Sequence, residues 1–341
     1  MAKFGMGMAP VEPLAKVASV AKLAEDLGYS FFGNADQRGS GEKDAYVSLT
    51  SAALNTKRIL LGPCISDPYW RHPALIARAI ASIDDVSNGR AFLTLGAGGS
   101  EFEKLGIEKK SPNRALRETI LICRSMFTGE PVEFEGKLYK VKGHGLGFKP
   151  KSKIPIYLAS RSPLNLQLAG ELCDGVVVAS YAAEENIKPA LELVKKGLEK
   201  AGRSLDDIDL VSWVYTSISD DKEQAIENIR PFTVGALYNT APEMYAKFGI
   251  SQKAIRFLEE AQKRGLRGEK LIAEAKDAIT NEDLEKFSLA GTAEDCIKRV
   301  KSILHLGIKT IWVRPFSAPG SMKEVEKVIG PFGEQVIPEF L

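Results

Sequence analysis

The sequence predicts an α/β protein, a single (β/α)8 TIM barrel, and three observations carry that expectation. Short apolar runs alternate with amphipathic helical stretches from end to end. About eight such runs can be counted, and no linker or low-complexity segment separates them. Glycine and polar residues gather just after the runs, where a barrel places its functional loops. Such alternation means parallel strands joined by right-handed crossovers. Eight of them suit a closed barrel better than an open doubly wound sheet, and 341 residues leave room for insertions.

Taken in order, residues 3–8 read as the first strand. Pro13 opens a helix that aligns Leu14, Val17, Val20, Ala24 and Leu27 on one stripe, and Gly28 closes it. Residues 29–34 form the second strand, 45–55 a helix, and 59–62 with Cys64 and Ile65 the third strand. A long helix over 72–87 ends at the turn signal Asn88-Gly89. The fourth strand, 91–95, runs straight into Gly96-Ala97-Gly98-Gly99-Ser100, and 114–127 is helical. In the second half 156–159, 176–179, 209–218 and 310–313 read as strands, and 163–172, 182–201 and 292–306 as helices.

Two stretches depart from the rhythm. Residues 131–153 are rich in Gly, Lys and aromatics and predict an extended excursion or small hairpin. Residues 222–289 are charged and helical, an insertion between the seventh and eighth strands that suits a cap or an oligomer contact. The whole of 1–341 is expected to be one barrel domain carrying that insertion.

Composition narrows the class. Hydrophobic residues make up 44% and charged residues 26%, enough apolar material for a large core. A formal charge of +2, from 46 basic and 44 acidic residues, argues against a general nucleic-acid binder but allows a local basic pocket. The four cysteines, Cys64, Cys123, Cys173 and Cys296, form no C-x-x-C pair and no metal-ligand spacing, so buried free thiols in a reducing compartment are expected. No signal segment and no apolar run of about 20 residues is present, which points to the cytoplasm and away from membranes.

The candidate chemistry lies in the loops. Asp36 and Gln37 follow the apolar Phe31-Phe32 run, where they either begin a loop or hydrogen-bond a heterocycle. The 96–100 loop either makes a simple turn or lets backbone N–H groups approach a ring edge or an anion without Cβ interference. Ser160-Arg161-Ser162-Pro163 opens a helix; Ser162 suits an N-cap and Pro163 the first turn. The same residues offer a phosphate two hydroxyls, a guanidinium and a positive helix end. His72, before Pro73, reads as a cap or surface residue, and His144 and His305 lack polar company in the sequence. No Ser-His-Asp order, paired-carboxylate signature or metal cluster emerges, which suits chemistry carried by a cofactor.

The run from Leu61-Gly62-Pro63 through Ser66-Asp67-Pro68-Tyr69-Trp70-Arg71-His72-Pro73 to Ser87-Asn88-Gly89-Arg90 resembles the luciferase-like flavin and F420-dependent oxidoreductase superfamily. Gly96-Ala97-Gly98, Ala169-Gly170-Glu171-Leu172-Cys173-Asp174-Gly175 and Ala24-Glu25-Asp26-Leu27-Gly28-Tyr29 fit the same pattern in the same order. Within that superfamily the chain looks most similar to the deazaflavin branch that includes methylenetetrahydromethanopterin reductase. The resemblance implies a barrel and a homodimer or higher homo-oligomer. It implies a bulge at Cys64-Ile65, in some relatives with a non-prolyl cis peptide, that supports the central ring of a deazaflavin. Ser66, Gly96, Ala97, Gly98 and Gly99 would then line the ring, and Ser160, Arg161 and Ser162 would hold the phosphate. Two departures stand out. Many deazaflavin relatives carry Asp-His where this chain has Asp36-Gln37, so a catalytic His is absent there. The usual Gly-Pro turn after the fifth strand is replaced by Arg161-Ser162-Pro163.

The resemblance thus implies a coenzyme F420-dependent oxidoreductase moving a hydride to or from a small organic or pterin-like substrate, with Asp36 and Gln37 as candidate ring or substrate contacts. The alternatives are an FMN-dependent monooxygenase on the same barrel, and a non-catalytic relative, which the Gln37 substitution favours.

Overall fold

The structure is a computed structural model that describes residues 1–36, 41–98, 102–240, 242–321 and 323–341. Its strands are β1 (Lys3–Met8), β2 (Phe31–Asn34), β3 (Leu60–Pro63), β4 (Leu93–Leu95), β5 (Val132–Glu135), β6 (Lys140–His144), β7 (Ile156–Ser160), β8 (Gly175–Ala179), β9 (Asp209–Ile218), β10 (Ser288–Gly291) and β11 (Thr310–Pro315). The path β3-β2-β1-β11-β9-β8-β7-β4 holds eight strands, with β10 beside β9. Bridges Leu61–Ala91 and Ser66–Leu95 join the two ends of the path. The fold is the expected (β/α)8 barrel.

The helices between strands follow the apolar stripes. α1 (Leu14–Asp26) buries Val17, Val20, Ala21 and Ala24. α2 (Ala45–Asn55) is capped by Asp44, whose carboxylate accepts the N–H groups of Tyr46 and Val47 at 2.9 and 3.1 Å. α3 (Pro73–Ser87) ends at Asn88, which takes the left-handed conformation, and the Gly89 N–H reaches back to the Asp84 carbonyl at 2.8 Å. Next come α4 (Pro112–Met126), α5 (Pro163–Leu172) and α6 (Glu184–Lys200).

Residues 131–153 contain the antiparallel β5–β6 hairpin that their composition predicts. The 222–289 insertion is more broken than one helical stretch. It consists of α7 (Lys222–Tyr238), α8 (Pro242–Tyr245), α9 (Gln252–Lys263), α10 (Gly268–Ala275) and α11 (Asn281–Glu285), followed by β10. Strand β10 escaped the sequence reading because four small or apolar residues among charged helices carry no period of their own. α12 (Ala293–His305) precedes β11, and α13 (Glu326–Pro331) opens the terminal helical turns. No helix among the described residues is long and apolar enough to cross a membrane.

The chain forms two compact units. One comprises Gly5–Val177 with Glu192–Leu210, and the other Met1–Phe4, Val178–Leu191 and Val211–Leu341. In the first, Phe31, Phe92 and Tyr157 pack edge to face, with centroids 5.5, 6.1 and 6.2 Å apart. The Tyr157 hydroxyl donates to Asp209 Oδ2 at 3.1 Å, and burial drives its ionisation far out of the ordinary range. Arg90, last residue of the Ser87–Arg90 run, donates to the carbonyls of Ile59, Ala53, Thr56 and Ser87 at 2.7–3.1 Å. It thereby fastens the end of α2, the start of β3 and the end of α3. All four cysteines are buried, and none is in a disulfide. In the second unit, Phe4 packs on Phe332 and Phe340, and Tyr181 on Phe248 and Phe287.

In the first unit α5 and α6 touch backbone to backbone. A Cβ at Gly197 would sit 1.9 Å from the Gln167 carbonyl oxygen, and one at Gly170 would sit 2.2 Å from that of Val194. Gly197→Ala must therefore push the helices apart, and a loss of about 1–3 kcal/mol is expected, read as a lower midpoint in denaturant unfolding.

Candidate active site

The loops after β2, β3, β4 and β7 all lie in the first unit, and the structure brings most of the sequence-derived candidates together there. Ser66 is the meeting point. Its N–H donates to the Thr94 carbonyl and its carbonyl accepts the Gly96 N–H, each at 2.9 Å, which joins the loop after β3 to the end of β4. Its hydroxyl donates to Asp36 Oδ2 at 2.7 Å and accepts from the Tyr46 hydroxyl at 3.1 Å. The Asp36 N–H in turn donates to the Ile65 carbonyl at 3.3 Å. The Cys64–Ile65 peptide is cis, at the position where the resemblance places a bulge.

Exposure sorts these residues. Cys64, Ser66 and Gly96 are buried, whereas Asp36, Ile65, Ala97 and Gly98 are half-buried. Together Ile65 and 96–98 form a ledge in which the Ile65 side chain covers Gly96, its Cδ1 2.2 Å from the position of a Gly96 Cβ. At Gly98, φ is +74° and a Cβ would lie 2.3 Å from the Phe102 ring and 3.1 Å from the Asp67 carboxyl carbon, so glycine is required on both counts. The neighbouring Gly96 abuts β7: its Cβ position lies 3.4 Å from the Ala159 carbonyl oxygen. This brings the 160–162 turn next to the ledge. Gln37 and Gly99 lie outside the described residues.

The turn after β7 differs from its expected capping. Ser162 occupies the N-cap position of α5, but its side chain makes no cap hydrogen bond. Ser160 Oγ instead accepts the Ser162 N–H at 3.0 Å, and Pro163 supplies the first turn. The Ser162 hydroxyl is exposed and not spent on the helix.

Three charged or polar residues around Asp36 escaped the sequence reading. Arg71 pairs with Asp44, lies 3.9 Å from Asp36 Oδ2, and places its guanidinium 4.8 Å from the Tyr46 ring centroid. Burial opposes the Arg71 charge, but Asp36 and Asp44 outweigh it and raise its pKa. Burial, reinforced by Asp36, holds the Tyr46 phenol protonated far above its ordinary range. Asp44, Arg71, Asp36, Ser66 and Tyr46 thus form a closed circuit of contacts from two loops and the first turn of α2. The signals were present, in an Asp at a helix start and a Tyr in the first turn, but only the tertiary fold brings them to Asp36.

The loop itself is braced from outside. Asp67 Oδ1 accepts the N–H groups of Tyr69 and Trp70 at 2.9 and 3.2 Å. The Tyr139 hydroxyl of the hairpin donates to the Pro68 carbonyl at 2.8 Å, and buried Glu118 accepts the N–H groups of Lys137, Leu138 and Tyr139, each at 2.9 Å. His72 is the N-cap of α3, as its position suggested, with Nδ1 accepting the Ala74 N–H at 3.2 Å. His144, unlike the sequence expectation, has a polar neighbour: Arg78 lies 3.1 Å from its Nε2.

The ends of these strands bring together a glycine-containing ledge, a carboxylate and a serine turn whose N-cap side chain makes no cap hydrogen bond. The luciferase-like monooxygenase family matches residues 1–310. The chain is 32% identical over 338 residues to the 5,10-methylenetetrahydromethanopterin reductase of Archaeoglobus fulgidus, covering 99% of both. It is 27% identical to the F420-dependent glucose-6-phosphate dehydrogenase of Nakamurella multipartita, covering 95% of this chain and 91% of the relative. The solved coenzyme F420 dependent tetrahydromethanopterin reductase from Methanopyrus kandleri matches with a TM-score of 0.84 at 28% identity, over 100% of this chain and 99% of that one. The chain belongs to the luciferase-like monooxygenase family.

Partial burial of the His72 ring, with His144 nearby, lowers its pKa from 6.5. A cap acceptor must be unprotonated, so its contribution is full above pH 6.5 and is lost as the pH falls through the lower folded-state value. His72→Asn, which keeps a cap without titrating, is expected to remove that part of the acid-side stability loss, about 1 kcal/mol, in unfolding curves between pH 7 and 5.

Proposed function

We propose that the chain is a coenzyme F420-dependent oxidoreductase that transfers a hydride to or from a small organic or pterin-like substrate, in the manner of methylenetetrahydromethanopterin reductases. The full-length likeness to such reductases carries this reading. The donor chemistry of the site fits the coenzyme. A flat ring suits the ledge of Cys64, Ile65 and Gly96, Ala97 and Gly98, with Ser66 beneath it. A phosphate suits the Ser160 and Ser162 hydroxyls, the Arg161 guanidinium and the free start of α5.

When bound, the coenzyme supplies the hydride-carrying centre. The chain's own residues bind, orient and exclude water. The ledge fixes one ring face, leaving the other for substrate; holding two reactants in near contact is the main rate contribution available to a site without strong acids. Asp36 accepts a hydrogen bond from ring or substrate, and Gln37 would do so as a neutral amide that cannot serve as an acid. The four buried thiols suit a reducing cytoplasm. The homo-oligomer implied by the resemblance would appear as a solution mass at least twice the 37.2 kDa of the chain.

Titration of the purified protein with coenzyme F420 and with FMN tests the reading. Tight F420 binding supports it; tight FMN binding with oxygen consumption replaces it with a monooxygenase, and binding of neither favours a non-catalytic relative. In the same assay Arg161→Ala is expected to weaken F420 binding by about tenfold, the loss of one charge-assisted contact, and to flatten its salt dependence. Unchanged binding would remove Arg161 from the phosphate site.

A further inference from the structure

We infer that Tyr46 and Ser66 are positioning residues: a one-way hydrogen-bond chain, Tyr46 to Ser66 to Asp36, holds the Asp36 carboxylate by one oxygen and presents the other to an N–H or O–H donor of a bound heterocycle. This rests on the proposed function, which supplies the heterocycle.

The direction of the chain follows from proton count. A carboxylate only accepts, so the single Ser66 proton goes to Asp36 Oδ2 at 2.7 Å. The Ser66 oxygen is then an acceptor, and the Tyr46 proton fills it at 3.1 Å. Every link is buried or nearly so: Ser66 is 0% and Tyr46 7% exposed, and the Asp36 side chain 11%. Hydrogen bonds in such surroundings are stronger than in water and polarise one another along a chain.

The anchor is rigid at both ends. The main chain of Ser66 is bonded on both sides to the end of β4, and that of Asp36 to Ile65. Tyr46 sits in the first turn of α2, its N–H held by Asp44 and its ring covered by Arg71. The same Arg71 pairs with Asp44 and leans toward Asp36, so the guanidinium balances the carboxylate without occupying its second oxygen.

Asp36 Oδ1 has no hydrogen-bond partner among the described residues. The Asp36 side chain is 11% exposed, so solvent reaches this oxygen only in part and a ligand donor adds to what water supplies. The main chain of Asp36 is bonded to Ile65, which belongs to the ledge. A planar heterocycle lying there and carrying a ring N–H, as deazaflavins and pterins do, supplies the missing donor. A ligand without one would leave the carboxylate unpaired, and sites of that kind reject such analogues strongly.

The test is a double-mutant cycle on the full chain, reading the dissociation constant of coenzyme F420 by fluorescence titration, with thermal melting run in parallel. Asp36→Asn should weaken binding by about tenfold or more and Tyr46→Phe by about three- to tenfold. In the double variant Tyr46→Phe should add nothing to Asp36→Asn, because both break one chain. Ser66→Ala should match Tyr46→Phe or exceed it. A purely structural Tyr46 would instead lower the melting temperature equally in both backgrounds and leave the F420 dissociation constant alone. Unchanged binding in Tyr46→Phe, or losses that multiply in the double variant, overturns the chain while the proposed function stands. Failure of the unmodified protein to bind F420 overturns both.

Discussion

Ser66 bears two duties at once, and the site depends on their coincidence. Its backbone ties the loop after β3 to the end of β4, helping to join the ends of the strand path. Its hydroxyl joins a carboxylate from the loop after β2 to a phenol from α2. A residue fixed by main-chain bonds on both sides can orient a side-chain bond closely, because its own position has almost no freedom left. Thus the barrel's closure and the geometry of Asp36 share one residue.

The loops that carry the site are braced by buried or half-buried polar groups and not by apolar packing alone. Glu118 holds the hairpin turn, the hairpin's Tyr139 holds Pro68, and Asp67 holds the turn that follows. Asp84, wholly buried, accepts the N–H groups of Lys151 and Ser152 in the same way. Glu118 and Asp84 are satisfied chiefly by backbone donors, which removes most of the cost of burying them and leaves a stiff scaffold. Such stiffness is what a site needs when it contributes position and electrostatics and leaves the reactive centre to a cofactor.

Family membership and site geometry answer different questions about the protein. The match over residues 1–310 establishes the lineage, while chemistry has to come from the site itself. The described part of the site offers a ledge, an anion-ready turn and a braced carboxylate. Of the histidines near it, His72 is engaged as a helix cap and His144 lies against Arg78.

The sequence by itself determined the alternation of strands and helices, the glycine-rich turn after β4, the hairpin between α4 and β7, and the family through the 61–90 run. Those features are local: periodicity, turn chemistry and a contiguous pattern survive in one dimension. Asp36 was legible as a polar residue at a strand end, but its partners were not. Tyr46 looked like one more residue of an amphipathic helix, and Arg71 like part of a loop. Their roles depend on side chains 20 to 30 positions apart meeting across parallel strands. Register and helix rotation decide such meetings, and neither is written in any single stretch of chain. The serine turn shows the same limit at short range. Ser162 suits an N-cap by residue type, yet the backbone lets Ser160 take the bond instead. Tertiary structure alone decided which hydroxyl holds the turn: that of Ser160 and not that of Ser162.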